Sequence, residues 1–265
     1  MTRGGHTAVE ERLTPAAPVL PNVSEISLTG DAFLLDIDGT LLDIAATPEA
    51  VHVPATLKKT LARLEALSGG AVALVSGRLL SGIDHLFAPL SIAAIGCHGA
   101  EWRKKPGETI ERRAQPLPAE LKEALSRTVS DLVGVRIEDK DYTLAFHYRA
   151  APACKSVLET RLAAAIAPSS GELCVLRGKA VFEVKPCAFD KGEAIAALTR
   201  FPPFARRRPV FLGDDRTDEY AFAVVRQMGG LGISVGRKMA DAERMLPAPH
   251  AVRSWLARLA GTPGC

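Results

Sequence analysis

An excess of charge of either sign is missing from this chain. Its 33 basic and 30 acidic side chains leave a formal net charge of +3 over 265 residues, which favours no particular partner. A nucleic-acid binder concentrates its basic residues in a stripe. Here the compact runs are Arg206-Arg207-Arg208, beside a proline-rich turn, and Arg103-Lys104-Lys105. Both read as solvated loop charge, so no nucleic-acid partner is expected. Cysteines with metal-ligand spacing are missing too. Cys97, Cys154, Cys174, Cys187 and Cys265 are odd in number and form no C-x-x-C, and reduced thiols in a cytoplasmic protein account for them most simply. No apolar stretch reaches the roughly 18 residues of a membrane span, and there is no internal repeat or low-complexity tract. The first 28 residues carry scattered prolines, glycines and charges without the apolar core of a secretory signal. Residues 1–30 therefore read as a poorly ordered tail.

What is present begins with Phe33-Leu34-Leu35-Asp36-Ile37-Asp38-Gly39-Thr40. A short apolar run of this kind reads as a strand buried on both faces, and its end is where an open α/β sheet places a ligand. Two carboxylates there repel each other unless a cation or a proton lies between them. Apolar Leu57, Leu61, Leu64 and Leu67 follow at helical spacing. Ala71–Val75 then reads as a second buried strand ending in Ser76-Gly77-Arg78, a short helix spans Gly82–Phe87, and Ile92–Ile95 reads as a third strand ending in Gly96-Cys97-His98-Gly99. This βαβαβ alternation predicts a parallel, Rossmann-like sheet and the α/β class.

The pattern changes after residue 101. A polar loop or hairpin around Pro106-Gly107 leads to helix (about 117–132), strands (135–138 and 142–148), helix (about 152–166) and strands (173–176 and 180–184). That order predicts an inserted α+β unit over about 104–184, with the core formed by 31–103 and 185–265. The alternation resumes with helix Lys191–Leu198, strand Pro209–Leu212 ending in Gly213-Asp214-Asp215, helix Glu219–Gln227, strand Leu231–Val235 and a closing helix near Val252–Leu259.

Parallel strands deliver their C-terminal ends to one edge, so Asp36 and Asp38, Ser76 and Arg78, and Asp214, Asp215 and Asp218 should converge there, with Lys191 in reach. Such a set suits phosphoryl transfer with Mg²⁺, which prefers hard oxygen ligands. An aspartate can attack phosphorus, a second can serve as acid and base, and a lysine can neutralise developing charge. Simpler readings stand beside these. Asp36-x-Asp38 could be a calcium turn, although Gly39 follows too soon for an EF-hand loop. Asp215 could be a helix N-cap, and a lysine at a helix start can simply be solvated. His147 with Arg149, and Glu138 with Lys140, alternate along strand faces and could be surface residues or ion pairs. His98 could be a buried, hydrogen-bonded histidine.

Asp36-Ile37-Asp38-Gly39-Thr40, Val75-Ser76-Gly77-Arg78, Lys191-Gly192 and Gly213-Asp214-Asp215-x-Thr217-Asp218-Glu219 resemble, in order, the four motifs of the haloacid dehalogenase superfamily. The resemblance implies Asp36 as nucleophile, Asp38 as general acid and base, and Ser76 and Lys191 as holders of the phosphoryl group. It implies Mg²⁺ ligation by Asp36, Asp214 and the Asp38 carbonyl, with Asp218 a further ligand candidate, and a C2-type cap. A narrower likeness is carried by Cys97-His98-Gly99-Ala100-Glu101, Glu138-Asp139-Lys140, Phe146-His147-Tyr148-Arg149 and Gly178-Lys179 with Glu183. It is to the trehalose-6-phosphate phosphatase family and covers about residues 33–236. It implies a small-molecule sugar phosphate as substrate, with Ser76, Gly77, Arg78, His98, Gly99, Glu101, Glu138, Lys140, His147, Arg149, Lys179 and Glu183 as substrate-binding candidates. A cytoplasmic monomer with no membrane partner is expected. The alternatives are a phosphatase for another sugar phosphate, such as sucrose or mannosylglycerate phosphate, and a non-catalytic sugar-phosphate-binding domain.

Overall fold

The computed structural model describes residues 20–45, 51–169 and 171–263. The larger of its two sheets is centred on β1 (Asp31–Asp36), every residue of which is buried. β2 (Val72–Val75), β3 (Ala93–Gly96), β4 (Glu101–Arg103) and β5 (Glu111–Arg112) extend it on one side. On the other side lie β10 (Arg208–Gly213), β11 (Leu231–Val235) and β12 (Arg244–Leu246). The sheet is parallel from β12 to β3 and turns antiparallel at β4 and β5.

Strand side chains alternate between faces, and the two faces of β1 enter different cores. Phe33 and Leu35 pack under α1 (Ala55–Leu67), α2 (Leu80–Phe87) and α7 (Pro249–Ala260), with Trp255 fully buried. Ala32 and Leu34 pack under α5 (Lys191–Leu198) and α6 (Glu219–Gln227), with Phe211 and Phe222. No helix of the described residues is long and apolar enough to cross a membrane.

The second sheet is antiparallel, in the order β6 (Arg136–Asp139), β7 (Leu144–His147), β9 (Val181–Pro186), β8 (Leu173–Gly178). Leu144, Phe146, Phe182 and Val184 fill a third core with Leu125 of α3 (Ala119–Thr128) and Leu158 and Leu162 of α4 (Lys155–Ile166). The register sets Glu138 opposite Ala145 and Ala145 opposite Glu183, so the pleat carries these residues on the face turned from that core.

Three boundaries differ from the sequence-based expectation. The hairpin after residue 101 continues the larger sheet, with Trp102 opposite Ile95, and Arg103 is buried against Asp84 at 2.7 and 2.8 Å. The inserted unit therefore starts after Arg112 rather than at 104, and it ends with β9 at Pro186 rather than at 184. Within the expected tail, Asn22 caps a short 3-10 turn (Val23–Glu25), and Val23, Ile26 and Leu28 pack on the core. Apolar contact thus orders residues whose local composition reads as loose; residues 1–19 lie outside the described part. The fully described strand β12 has no counterpart in the sequence reading.

Candidate active site

The turn after β1 is shaped by Gly39, at φ +90°, a region that side chains rarely enter. A Cβ there would lie 2.1 Å from Asp214 Oδ2, so the backbone of the first acidic turn touches the carboxylate that follows β10. Asp214 and Asp215 each donate their backbone N–H to Asp218 Oδ2 at 3.0 Å, while Asp218 Oδ1 accepts from Lys191 Nζ at 2.6 Å. The same ammonium donates to Asp36 Oδ1 at 2.7 Å. Asp190 caps α5 by accepting the Glu193 N–H at 2.8 Å, which sets Lys191 at the first position of that helix.

Asp36, Asp214 and Asp218 bring one carboxylate oxygen each within 4.8 Å of one another, and all three are buried. Burial pushes the Asp36 carboxyl well above the usual carboxylate range; Lys191 opposes the shift, and Asp218 and Asp214 add to it. Asp214 is raised by burial too, against the pull of Lys179, whose ammonium reaches Asp214 Oδ2 from the β8–β9 turn. Burial disfavours the charge on Lys191, but Asp218 and Asp36 outweigh it and hold its pKa above the ordinary lysine value. Three buried carboxylates facing two ammonium groups, one of them half-exposed, are short of positive charge. Hard oxygens with that deficit fit a divalent cation. Asp218 already has both oxygens engaged by N–H donors, so its role here is to hold Asp214 and Lys191 in place.

Arg78 clasps Asp38 with two hydrogen bonds, Nε to Oδ2 and Nη2 to Oδ1, each 2.7 Å. Ser76 is buried and its Oγ accepts the Arg78 N–H at 3.1 Å. Gly77 lies against the imidazole of His98, where a Cβ would come within 2.5 Å of Cε1 and Nε2. His98 itself sits at φ 55° and contacts Glu183 Oε2 at 3.2 Å through Nε2. Lys140 donates to that same oxygen and to the Gly77 carbonyl, both at 3.2 Å, and Thr143 donates to Glu183 Oε1. Burial would raise the Glu183 carboxyl, yet Lys140, His98 and Thr143 together hold it far below its ordinary range. Burial also lowers the His98 pKa below 6.5, despite Glu183. Glu138 pairs with His147 at 2.7 Å, and that hydrogen bond holds its carboxyl down. Glu138 therefore has His147 as its partner, and Lys140 has Glu183.

A single cleft between the two sheets gathers most of the residues singled out by sequence. Asp36, Asp38, Ser76, Gly77, Arg78, His98, Lys191, Asp214 and Asp218 line it from the larger sheet. Glu138, Lys140, His147, Arg149, Lys179 and Glu183 line it from the inserted unit. Gly99 and Glu101 do not line it. Gly99 is wedged against the Asp190 carbonyl and Ala194, with 2.7 Å left for a Cβ, and Glu101 accepts the Leu80 N–H at the start of α2 at 2.5 Å. These contacts tie both residues to the helices α5 and α2. Missed by the sequence reading were Ile44 and Val51 on the wall of the larger sheet and Leu176 and Val181 on that of the inserted unit. The two-residue period of β9 could have revealed Val181, which shares the face of Glu183.

A parallel sheet with acidic strand ends and an α+β unit over the cleft is the fold shared with BT1666 of Bacteroides thetaiotaomicron, described as a phosphatase of the haloacid dehalogenase superfamily, with a TM-score of 0.59 at 16% identity over 95% of this chain and 99% of that one. Within that class, a profile of the trehalose-phosphatase family matches residues 34–246. The chain is 41% identical over 232 residues to a probable trehalose-phosphate phosphatase of Sinorhizobium fredii, covering 86% of this chain and 87% of that protein. It is 38% identical over 226 residues to the trehalose-6-phosphate phosphatase of Escherichia coli, covering 85% of each. The solved C-terminal domain of Candida albicans trehalose-6-phosphate phosphatase shares the fold, with a TM-score of 0.81 at 22% identity over 92% of this chain and 99% of that one. The chain belongs to the trehalose-phosphatase family.

Proposed function

We propose that this chain hydrolyses trehalose 6-phosphate to trehalose and phosphate, the last step of trehalose biosynthesis, as a cytoplasmic, monomeric, Mg²⁺-dependent enzyme. The observation that carries the reading is the buried set Asp36, Asp214 and Asp218, bridged by Lys191, at the floor of a cleft roofed by polar side chains. Membership of the trehalose-phosphatase family supports the choice of sugar.

In this reading an Asp36 oxygen attacks phosphorus while the bond to the sugar oxygen breaks, and Asp38 gives that oxygen its proton. Water then attacks the phosphorus of the aspartyl phosphate and passes its proton to Asp38. The bond from phosphorus to Asp36 breaks, restoring both side chains. Lys191 and Ser76 hold phosphoryl oxygens. The residues that would hold the cation are Asp36, Asp214 and the Asp38 main-chain carbonyl, organised by Asp218. A bound divalent ion supplies the charge that lets a phosphate dianion approach a carboxylate. Arg78 holds Asp38 in place through its bidentate contact, which fixes the carboxylate at the edge of the cleft. The roof residues Glu138, Lys140, His147, Arg149, Lys179 and Glu183 serve the sugar, Glu183 by orienting its buried neighbours.

Phosphate release is the test, from trehalose 6-phosphate, sucrose phosphate, mannosylglycerate phosphate and a plain hexose phosphate, with and without a chelator. Preference for trehalose 6-phosphate, lost on chelation and restored by Mg²⁺, is expected. Equal rates on the hexose phosphate would refute the assignment of the sugar.

A further inference from the structure

Lys185, on β9, is 3% exposed. Its ammonium donates to backbone carbonyls, that of Pro186 at 2.7 Å and that of Phe189, with Cys174 Sγ at 4.0 Å. The same nitrogen lies 4.4 Å from the centre of the Phe189 ring. Among the described residues it forms no ion pair with a carboxylate. A buried ammonium given only neutral acceptors bears a desolvation cost that an ion pair would offset, so its position calls for a physical reason.

The reason lies in what it holds. Residues 186–190 are the return connection from the smaller sheet to the larger, and they deliver α5. Phe189 packs with Cys97, Ala100 and Tyr142, and the next carbonyl, that of Asp190, presses on Gly99. The helix begins at the following residue, Lys191, which must set its ammonium 2.7 Å from Asp36 and 2.6 Å from Asp218 at once. Lysine has a long, flexible stem, so this double contact depends on where the first turn of α5 is anchored.

We propose that Lys185 is a positioning residue for the reaction. By holding the Pro186 and Phe189 carbonyls it fixes where α5 starts, and so sets Lys191 against Asp36. Glu183 lies two positions earlier on the same face of β9, so one strand carries both the buried carboxylate of the cleft and the clamp on the connection. This inference rests on Asp36 and Lys191 being the reacting groups and is independent of which sugar is used.

Lys185→Met keeps the stem and removes the donors; Lys185→Gln keeps an amide NH₂ as donor. Turnover is measured on trehalose 6-phosphate and on p-nitrophenyl phosphate, which makes no use of a sugar site. Displacing a reacting group by about an ångström costs roughly a hundredfold. For Lys185→Met we expect kcat to fall at least about tenfold on both substrates, with KM for trehalose 6-phosphate little changed. The Gln variant should fall between Met and wild type. In a double-mutant cycle with Lys191→Arg, the two losses should not add. The proposal is overturned by unchanged kcat in a folded variant, by a loss confined to the disaccharide, by additive losses, or by failure of both variants to fold. If the wild-type chain cleaves the aryl phosphate and not trehalose 6-phosphate, the sugar assignment fails while the aryl phosphate still decides the role of Lys185.

Discussion

At the scale of single residues, the site is a problem of buried charge. Asp36→Asn removes the attacking oxygen with little change of volume, so turnover should drop by about a thousandfold or more while the thermal midpoint stays close to wild type. Rate and circular dichroism melts on one preparation check both halves of the expectation. His98 makes a prediction of another kind. Its folded-state pKa is held below 6.5 by burial, so the unfolded chain takes up that proton first. The associated stability is complete above about pH 6.5 and is lost as the pH falls below it. His98→Gln should therefore lose less stability than wild type on acidification from pH 7 to 5.5, both measured by denaturant unfolding with Mg²⁺ present. The four acidic and basic motifs were legible in sequence because their residue types carry the chemistry directly. Gly99 and Glu101 lie close to His98 in sequence, and their contacts run to α5 and α2. The hydroxyl of Thr143, which serves Glu183, left no signal, since threonine is common in strands and turns alike.

At the scale of elements, the strand ends depend on close backbone approach. Gly39→Ala would force both a positive φ and a Cβ into Asp214. The expected result is loss of divalent-ion binding. Mg²⁺ should raise the melting temperature of the wild type by mass action and leave that of Gly39→Ala unchanged, as read by thermal scans with chelator or metal. On the opposite wall, Arg149 follows β7, is exposed and lines the cleft. Arg149→Ala should raise KM for trehalose 6-phosphate several-fold more than KM for p-nitrophenyl phosphate. Equal shifts would remove it from the sugar site. Periodicity made the helices and the longer buried strands readable, whereas β4, β5 and β12 were not placed in the sheet, because strands of two or three residues carry little alternation. What places Trp102 in the larger sheet is its pairing with Ile95 and its cover by Phe201, ring centres 5.7 Å apart, and neither follows from local sequence.

At the scale of the whole molecule, two cores lie on the faces of one sheet and a third belongs to the cap alone. Removing Leu158, fully buried in the third, should cost about 2–5 kcal/mol of local stability as Leu158→Ala. Calorimetry should show the loss in the cap, and turnover of trehalose 6-phosphate should suffer more than that of p-nitrophenyl phosphate. Order of elements along the chain suggested an inserted unit, and the polar loop at 104–113 hid its edge, since a hairpin and a linker look alike there.

The parallel pairing of β1 with β10, Leu35 beside Leu212, has a consequence for biosynthesis. During translation, β1 to β5 of the larger sheet and the entire cap emerge while one side of the fully buried β1 still waits for β10, a neighbour made much later in the chain. Until then the nascent polypeptide exposes an unsatisfied edge of the kind that invites pairing with other chains. A message truncated before β10 would yield a sticky fragment unable to retain a cation, and such fragments are substrates for chaperones and proteases rather than partial enzymes.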